Sequence, residues 1–260
     1  MLIATKAYNA ITTGPNDLGT SRLALMREVE GSLSRLGTDY IDLYQVHLFD
    51  TTTPLEETLK ALDDLVRQGK VRYIGLSNFA AWQIAKADGL AKLLGTEKFC
   101  SVQAYYSLVG RELGRKIIPA AMDLGLGTLI WSQLAGGFLS GKYTREGEAS
   151  GRRANFEIPP VDKEQGFDVV DKLAEIAETK GASVAQVSLA WLLHKPGVTS
   201  VIVGARKEEQ LVDNLGVADI ALSDDEVKAL DEVSALKPEY PAYFPPMQRG
   251  EGLFSRFQND

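Results

Sequence analysis

Polar and aromatic side chains stand at the ends of several short apolar segments of this sequence. In chain order they are Lys6, His47, Ser77, Asn78, Gln103, Trp131 and Ser132. If the apolar segments are neighbouring parallel strands, an ammonium group, an imidazole, two amides, two hydroxyls and an indole meet at one rim. Such a set is typical of a reaction site for a planar ligand.

Each of these residues also has a purely structural explanation. Lys6 is then a solvated strand end, and His47 is a histidine whose nitrogens are satisfied within the fold. Ser77 and Asn78 cap the following helix, the amide of Gln103 bonds to the backbone, and the indole packs in the core. It is the occurrence of the whole set at the same end of successive segments that favours a functional site.

A second candidate feature is the run Gly204-Ala205-Arg206, which leads into a predicted helix. Free N–H groups and the helix dipole favour a phosphate group at such a place. Arg206 offers a planar guanidinium, and Gln210 and Asn214 follow at four-residue spacing on one helical face. These residues suit a ribose phosphate and an adenine edge. The alternative is a solvated helix face with a surface arginine.

The segments that must position these residues alternate between two patterns. Short apolar runs predict strands at residues 2–7, 41–46, 71–76, 99–105, 127–131 and 198–203. Helical spacing of apolar residues follows at 23–36, 53–69, 81–94, 113–124, 162–180, 183–193, 207–215 and 224–236. Thr53 is predicted to cap the second helix, with Pro54 in its first turn and Glu56 completing a capping box.

This alternation predicts an α/β fold with a parallel sheet buried on both faces, and we expect a single domain over residues 1–260. An open doubly wound sheet is the rival, but no G-x-G-x-x-G fingerprint follows an early strand. A (β/α)8 barrel of the TIM type therefore fits better, with about six of eight strands present in this chain. In such barrels functional residues lie at the carboxyl ends of the strands.

Composition excludes several classes of protein. The 260 residues carry a formal net charge of -7 and a pI near 5.1, which argue against a general nucleic-acid binder. The single cysteine, Cys100, excludes a disulfide framework and thiolate zinc clusters, and the two histidines make a histidine-rich metal site implausible. Neither a membrane span nor a signal peptide is predicted, so we expect a cytoplasmic protein.

Taken in order, these motifs resemble the aldo-keto reductases. The resembling segments are residues 3–6, 37–47, 75–79, 131–137 and 203–206, followed by Gln210 and Asn214. Trp131 and the continuation Ser140-Gly141-Lys142 look like the branch that contains bacterial oxidoreductases and potassium-channel β subunits. The resemblance covers nearly the whole chain, and the motifs are specific together, although no single one would be.

The resemblance implies reversible NADP(H)-dependent reduction of aldehydes or ketones to alcohols on a (β/α)8 barrel. Lys6 matches the family lysine that lowers the pKa of a catalytic tyrosine, and His47 matches the histidine that hydrogen-bonds the substrate carbonyl. The residues that match cofactor contacts are Ser77, Asn78, Gln103 and Trp131 for the nicotinamide, Ser132, Leu134, Gly136, Gly141 and Lys142 for the pyrophosphate, and Gly204, Arg206, Gln210 and Asn214 for the adenosine phosphate.

The chain also departs from the family pattern. Gln133 and Val203 stand where the family often has proline. Nothing matches the family's Asp-x-Ala-x-x-Tyr-Gly type segment, so the catalytic aspartate and tyrosine, and two βα units before Lys6, are expected to be absent. None of the tyrosines near strands lies at the family position; these are Tyr8, Tyr44, Tyr105 and Tyr106.

Low activity of the 260-residue chain is expected, because the family aspartate and tyrosine are absent and the loss of two strands would misplace the nicotinamide. Six of eight strands would also leave two open sheet edges. The alternatives are an NADP(H)-binding regulatory or sensor subunit and an inactive fragment. The expected partner is a small carbonyl substrate, with no nucleic acid and no membrane, and a homo-oligomer is left open. Substrate choice is expected in residues 48–53, 107–112, 143–160 and those after 238. Phe156, Tyr240, Tyr243 and Phe244 would form an apolar wall there or, alternatively, pack on the barrel.

Overall fold

One parallel sheet organises the computed structural model, which describes residues 1–11, 13–14, 16–145, 147 and 158–241. Its strands are β1 Ala4–Ala7, β2 Ile41–Val46, β3 Val71–Ser77, β4 Ser101–Tyr105, β5 Gly127–Trp131 and β6 Ser200–Val201. Each strand pairs in parallel with its neighbours in sequence. Within the described ranges β1 and β6 do not pair, so the sheet is open, consistent with a partial (β/α)8 barrel.

Helices lie between and after the strands. They are α1 Arg22–Leu36, α2 Leu55–Arg67, α3 Ala81–Leu94, α4 Leu113–Leu124, α5 Lys163–Lys180, α6 Val184–His194, α7 Glu208–Leu215 and α8 Asp224–Val233, with 3₁₀ turns at Ala135–Ser140 and Gly216–Asp219. The predicted alternation is confirmed. The largest difference is β6, which has two residues where six were predicted.

Reciprocal capping explains where two of the later helices begin. The Ser183 hydroxyl accepts from the N–H of Gln186 at 3.1 Å, and the Gln186 side chain accepts from the N–H of Ser183 at 2.9 Å. Ser223 and Glu226 form the same arrangement at α8. Each box satisfies N–H groups that the first turn leaves without a helical partner, and so fixes the start of its helix.

The predicted capping box at α2 is wrong. Pro54 occupies the cap position and no side chain accepts a hydrogen bond there. The N–H of Thr53 points instead to Oδ1 of Asp50 at 3.3 Å, and the N–H of Thr52 donates to the same oxygen at 2.8 Å. Asp50 therefore closes a turn of its own just before the helix, and Thr53 belongs to that turn.

The main hydrophobic core lies on one face of the sheet. Tyr44, Val46, Ile74, Leu76 and Val102 alternate along the central strands and are at most 1% exposed. They form one cluster with the buried leucines of α1 and α2. Burial of this face against helices is the dominant stabilising contribution that the fold offers.

The opposite face of the sheet is polar. Lys6, Gln45, Gly75 and Ser101 are register partners across β1 to β4, and partners in a parallel sheet point to the same face. A Cβ atom at Gly75 would lie 2.8 Å from Oγ of Ser101 and 3.1 Å from Cγ of Gln45. The glycine thus lets two polar side chains close over β3. In the described part of the chain, no helix is long and apolar enough to span a membrane.

Candidate active site

Lys6 and His47 lie at neighbouring strand ends on the polar face. Lys6 is in β1, opposite Gln45 of β2, and His47 follows Gln45 by two residues, which returns it to the same face. The N–H of His47 continues the ladder by donating to the carbonyl of Ala7 at 3.0 Å. The backbone thus fixes both residues at what we call the rim, the carboxyl ends of β1 to β5.

The imidazole of His47 is oriented by a short polar side chain. The amide nitrogen of Asn9 lies 2.9 Å from Nδ1 of His47. Because an amide NH2 group can only donate, Nδ1 is the acceptor, and the neutral ring carries its proton on Nε2. His47 is therefore set up to donate a hydrogen bond from Nε2.

Partial burial lowers the pKa of both residues, and the charge of Lys6 acts on His47 as well. Partial burial lowers the pKa of His47, and the positive charge of Lys6 lowers it further. Burial also lowers the pKa of Lys6. A histidine held neutral beside a cationic lysine can donate a hydrogen bond without adding a second positive charge.

Asn78 joins three strand ends. Its amide nitrogen donates to the carbonyl of His47 at 3.2 Å and to Oγ of Ser77 at 3.0 Å, while its oxygen accepts from the indole N–H of Trp131 at 3.1 Å. The backbone of Asn78 is left-handed, with φ of 56°. A non-glycine residue in this region costs about 1–3 kcal/mol, and such residues cluster at functional sites.

The indole of Trp131 is fixed in place by this bond. Its ring lies 5.4 Å from the ring of Tyr105, at an interplanar angle of 42°. A half-buried aromatic ring, of the kind that stacks on flat ligands, is thus held at the rim.

Gln103 carries a buried oxygen without a partner. The residue is 5% exposed, and among the described residues its Oε1 accepts no hydrogen bond. Its backbone carbonyl accepts from the N–H of Asn78 at 3.0 Å, which places it beside the polar hub. A buried acceptor left unpaired costs about 1–3 kcal/mol, so a ligand that donates to it gains that amount.

The loop after β5 is tightly turned. Ser132, Ala135, Gly136 and Gly141 all have positive φ. The hydroxyl of Ser132 accepts from the N–H of Gly136 at 3.2 Å, and a Cβ atom at Gly141 would lie 3.1 Å from the side chain of Val184. The loop is therefore pressed against α6. Of the predicted pyrophosphate contacts beyond this turn, Leu134 is half-buried and Lys142 is exposed.

The predicted adenosine contacts are more loosely built. Gly204 does not follow a strand directly, because β6 ends at Val201, and Arg206 is exposed just before α7. The N–H of Arg206 donates to Oε1 of Gln210 at 3.1 Å. Asn214 lies one turn further on and is buried. The structure thus brings Arg206 and Gln210 together.

Comparison of the sequence with known protein families identifies the family of this chain. The family model described as "Aldo/keto reductase family" matches residues 1–235. The chain belongs to the aldo/keto reductase family. All six strands, and the rim residues at their carboxyl ends, lie inside the matched region of this aldo/keto reductase.

Relatives of this aldo/keto reductase are named as oxidoreductases. It is 38% identical over 239 residues to an uncharacterized oxidoreductase of Bacillus subtilis (90% of this chain, 72% of the relative). It is 35% identical over 231 residues to the versiconal hemiacetal acetate reductase of Aspergillus parasiticus (87% and 66%), and 35% over 219 residues to a putative aryl-alcohol dehydrogenase of Saccharomyces cerevisiae (84% and 63%). The chain thus spans 63 to 72% of the length of these relatives.

The rim fits the nicotinamide cofactor that aldo/keto reductases typically use. A carboxamide has one donor group and one acceptor. The unpaired Oε1 of Gln103 suits the donor, and Ser77, whose oxygen already accepts from Asn78, keeps its hydroxyl proton for the acceptor. Asn78 itself has both amide hydrogens engaged, so its described bonds make it a scaffold for Trp131 and His47.

The tyrosines near the strands differ in their suitability as a proton donor for this aldo/keto reductase. Tyr44 lies on the helix-facing side, and burial raises its pKa. Tyr106 packs against Trp191, with ring centroids 5.5 Å apart, and burial likewise raises its pKa. The hydroxyl of Tyr105 is 2.8 Å from that of Ser107 at the rim. Burial therefore disfavours Tyr44 and Tyr106 as acids.

Three further polar residues were not predicted from the sequence as candidates for the site. Asn9 orients His47, and Gln45 lies 2% exposed beside Lys6, with an Nε2 that has no partner among the residues the structure describes. Asp50 is partly buried, which acts to raise its pKa, but hydrogen bonds from Thr52, Thr20 and Thr53 outweigh this and hold the pKa well below its ordinary value. Alternation along β2 would have revealed Gln45, since it shares a face with His47. Phe156, Tyr243 and Phe244 of the predicted apolar wall lie outside the described residues.

Proposed function

We propose that this aldo/keto reductase reversibly reduces aldehydes or ketones to alcohols with NADP(H). The observation that carries the proposal is the rim, where Lys6 and His47 lie near a buried, unpaired amide oxygen and a fixed indole. When bound, the nicotinamide would supply or take up the hydride. The remaining steps belong to the chain's own residues.

His47 and Lys6 act on the carbonyl oxygen. The Nε2–H of His47 donates a hydrogen bond to that oxygen, and the Lys6 ammonium group stabilises the negative charge that develops on it. Gln103 and Ser77 hold the carboxamide, and Trp131 fixes the ring plane. Arg206 and Gln210 take the adenosine phosphate, with Arg206 favouring NADPH through a charge-assisted bond.

Catalysis by this chain is proposed to be slow. General acid catalysis contributes about 10²–10⁴-fold, and the tyrosines buried on the helix side are poor acids. Tyr8 follows Lys6 by two residues, but its φ of 118° takes it off the strand path. Proton donation then falls to the Lys6 ammonium group, whose pKa burial lowers, or to the Tyr105 hydroxyl at the rim, while neutral His47 supplies a hydrogen bond.

The test is oxidation of NADPH with a panel of aldehydes. Aromatic aldehydes come first because one relative is named an aryl-alcohol dehydrogenase and because Trp131 and Tyr105 offer aromatic surface at the rim. We expect Lys6→Met to lower kcat by about 10²-fold or more. Lys98→Met removes an exposed lysine elsewhere and should leave kcat unchanged. Equal rates for the two variants would refute the role of Lys6.

A further inference from the structure

A cavity of about 420 Å³ lies outside the rim, between α4, the end of α6 and residues 236–241. None of the rim residues lines it. Its walls include two tyrosines, five basic side chains and one carboxylate. This is an unusual concentration of positive charge for a chain whose formal net charge is -7, and nearby carboxylates balance only part of it.

Asp231 balances two of the cations near the cavity. It pairs with Lys195 and, at 3.2 Å from Oδ1, with Nη2 of Arg111. Lys195 and Arg111 are the most buried of the basic side chains here, at 14% and 18% exposure. One carboxylate therefore serves two largely desolvated cations, and one positive charge is left over.

Glu239 repeats this arrangement on the other wall. Its Oε2 lies 2.9 Å from Nη1 of Arg115, and its Oε1 lies 3.1 Å from Nζ of Lys116. Lys237 adds a fifth cation and has no carboxylate partner within the described ranges. The cavity wall thus carries an excess of positive charge that the described carboxylates do not neutralise, and such an excess attracts an anion.

Arg111 also presents an unpaired donor. Its guanidinium lies over the ring of Trp191, 4.6 Å from the centroid, which fixes its plane. Its Nε–H is buried and donates to no atom in the part of the chain that is described. A charged donor buried without an acceptor is unfavourable, and the guanidinium is held beside the cavity by its Nη1 bond to Oγ of Ser234.

We propose that this cavity binds the phosphate group of a small phosphorylated molecule. The arginine forks match phosphate geometry, and the volume exceeds that of a phosphate alone and lies in the range of small-molecule pockets. Glu239 occupies part of the basic wall, so it competes with the incoming group for Arg115 and Lys116. This site is independent of the proposed reduction of carbonyls.

The experiment is calorimetric titration of the full chain with inorganic phosphate, glycerol phosphate and, as a blank, glycerol. We expect saturable binding of both phosphates and none of glycerol. Arg115→Gln should weaken binding about tenfold, because it removes one charge-assisted hydrogen bond. Glu239→Gln should tighten binding severalfold, because it frees two cations. Lys98→Gln, which removes an exposed charge elsewhere, should have no effect.

Several results would overturn the proposal. The first two are the absence of saturable binding by either phosphate and equal weakening of binding in Arg115→Gln and Lys98→Gln. The third is unchanged or weaker binding in Glu239→Gln. The fourth is loss of binding through Arg206→Gln alone, which would place the phosphate at α7. If Arg115→Gln fails to fold by circular dichroism, Lys116→Gln replaces it, since Lys116 is 62% exposed. Unaltered binding in that variant would count equally against the site.

Discussion

At the rim, a hydrogen-bonded cluster centred on Asn78 would face a nicotinamide, whereas at α7 the arginine that would face an adenosine phosphate is exposed. Asn78 bonds to three groups from three strands, while Arg206 is exposed and engages Gln210 only through its backbone. Under the proposed function, the rim would orient the reacting ring, and α7 would attract the distal phosphate by long-range charge. Orientation requires a fixed geometry, but attraction of a phosphate does not.

The largest effect is expected from breaking the polar hub. Asn78→Leu leaves the indole N–H of Trp131 and the carbonyl of His47 unpaired and places a bulky residue at a left-handed φ. We expect a loss of about 3 kcal/mol in the free energy of unfolding, measured by urea denaturation. Asn78→Asp keeps an acceptor for the indole and tolerates the backbone, so it should lose less. Because Asn78→Asp also loses the two bonds that the amide donates, equal losses would show that the indole bond and the strain of leucine at this φ add nothing.

Gln103→Leu should separate stability from ligand binding. It removes a buried acceptor that has no partner among the described residues, so the free energy of unfolding should stay the same or rise. Affinity for NADPH, measured by fluorescence titration, should fall about tenfold. Thr128→Val removes another buried and unpaired oxygen on the helix-facing side and is the matched control. A similar loss of affinity in Thr128→Val would contradict the assignment of Gln103 to the carboxamide.

The electrostatic coupling at the rim predicts a change in pKa. Because the charge of Lys6 lowers the pKa of His47, Lys6→Met should raise it. The pKa of His47 in the folded protein lies below its ordinary value of 6.5, so His47 binds a proton more readily in the unfolded chain. Its contribution therefore makes the folded protein less stable as the pH falls below 6.5. This acid sensitivity should shrink in Lys6→Met. NMR titration of His47 in the two proteins measures the shift.

The smallest effect is expected at α7. Arg206→Ala should weaken NADPH by a factor of about five and NADH hardly at all, because an exposed charge pair is worth only ~1 kcal/mol. The dissociation constants of the two nucleotides for both proteins provide the measurement. An equal loss for both would show that Arg206 does not recognise the 2′-phosphate, and a hundredfold loss would show that the α7 segment is as tightly built as the rim.

Much of the fold could be predicted from sequence because local patterns carry it. The apolar runs predicted all six strands and their parallel pairing, and the resemblance at Lys6, His47 and Trp131 agrees with the family match over residues 1–235. The roles proposed for individual rim residues remain predictions. At α2 the local pattern misled, because Asp50 accepts from the N–H of Thr53, the donor that Glu56 would accept from in a capping box.

The sequence by itself therefore determined the alternation of strands and helices, the family, and the residue types at each strand end. Periodicity and motif spacing depend on residues that are close together along the chain. They can therefore be recognised without knowing which distant residues are in contact. Only the tertiary structure decided that Asn9 orients His47, that Asn78 is a scaffold, and that Asp231 and Glu239 are each shared by two cations. These pairings join residues far apart in sequence, and their partners are set by how the strands and helices pack.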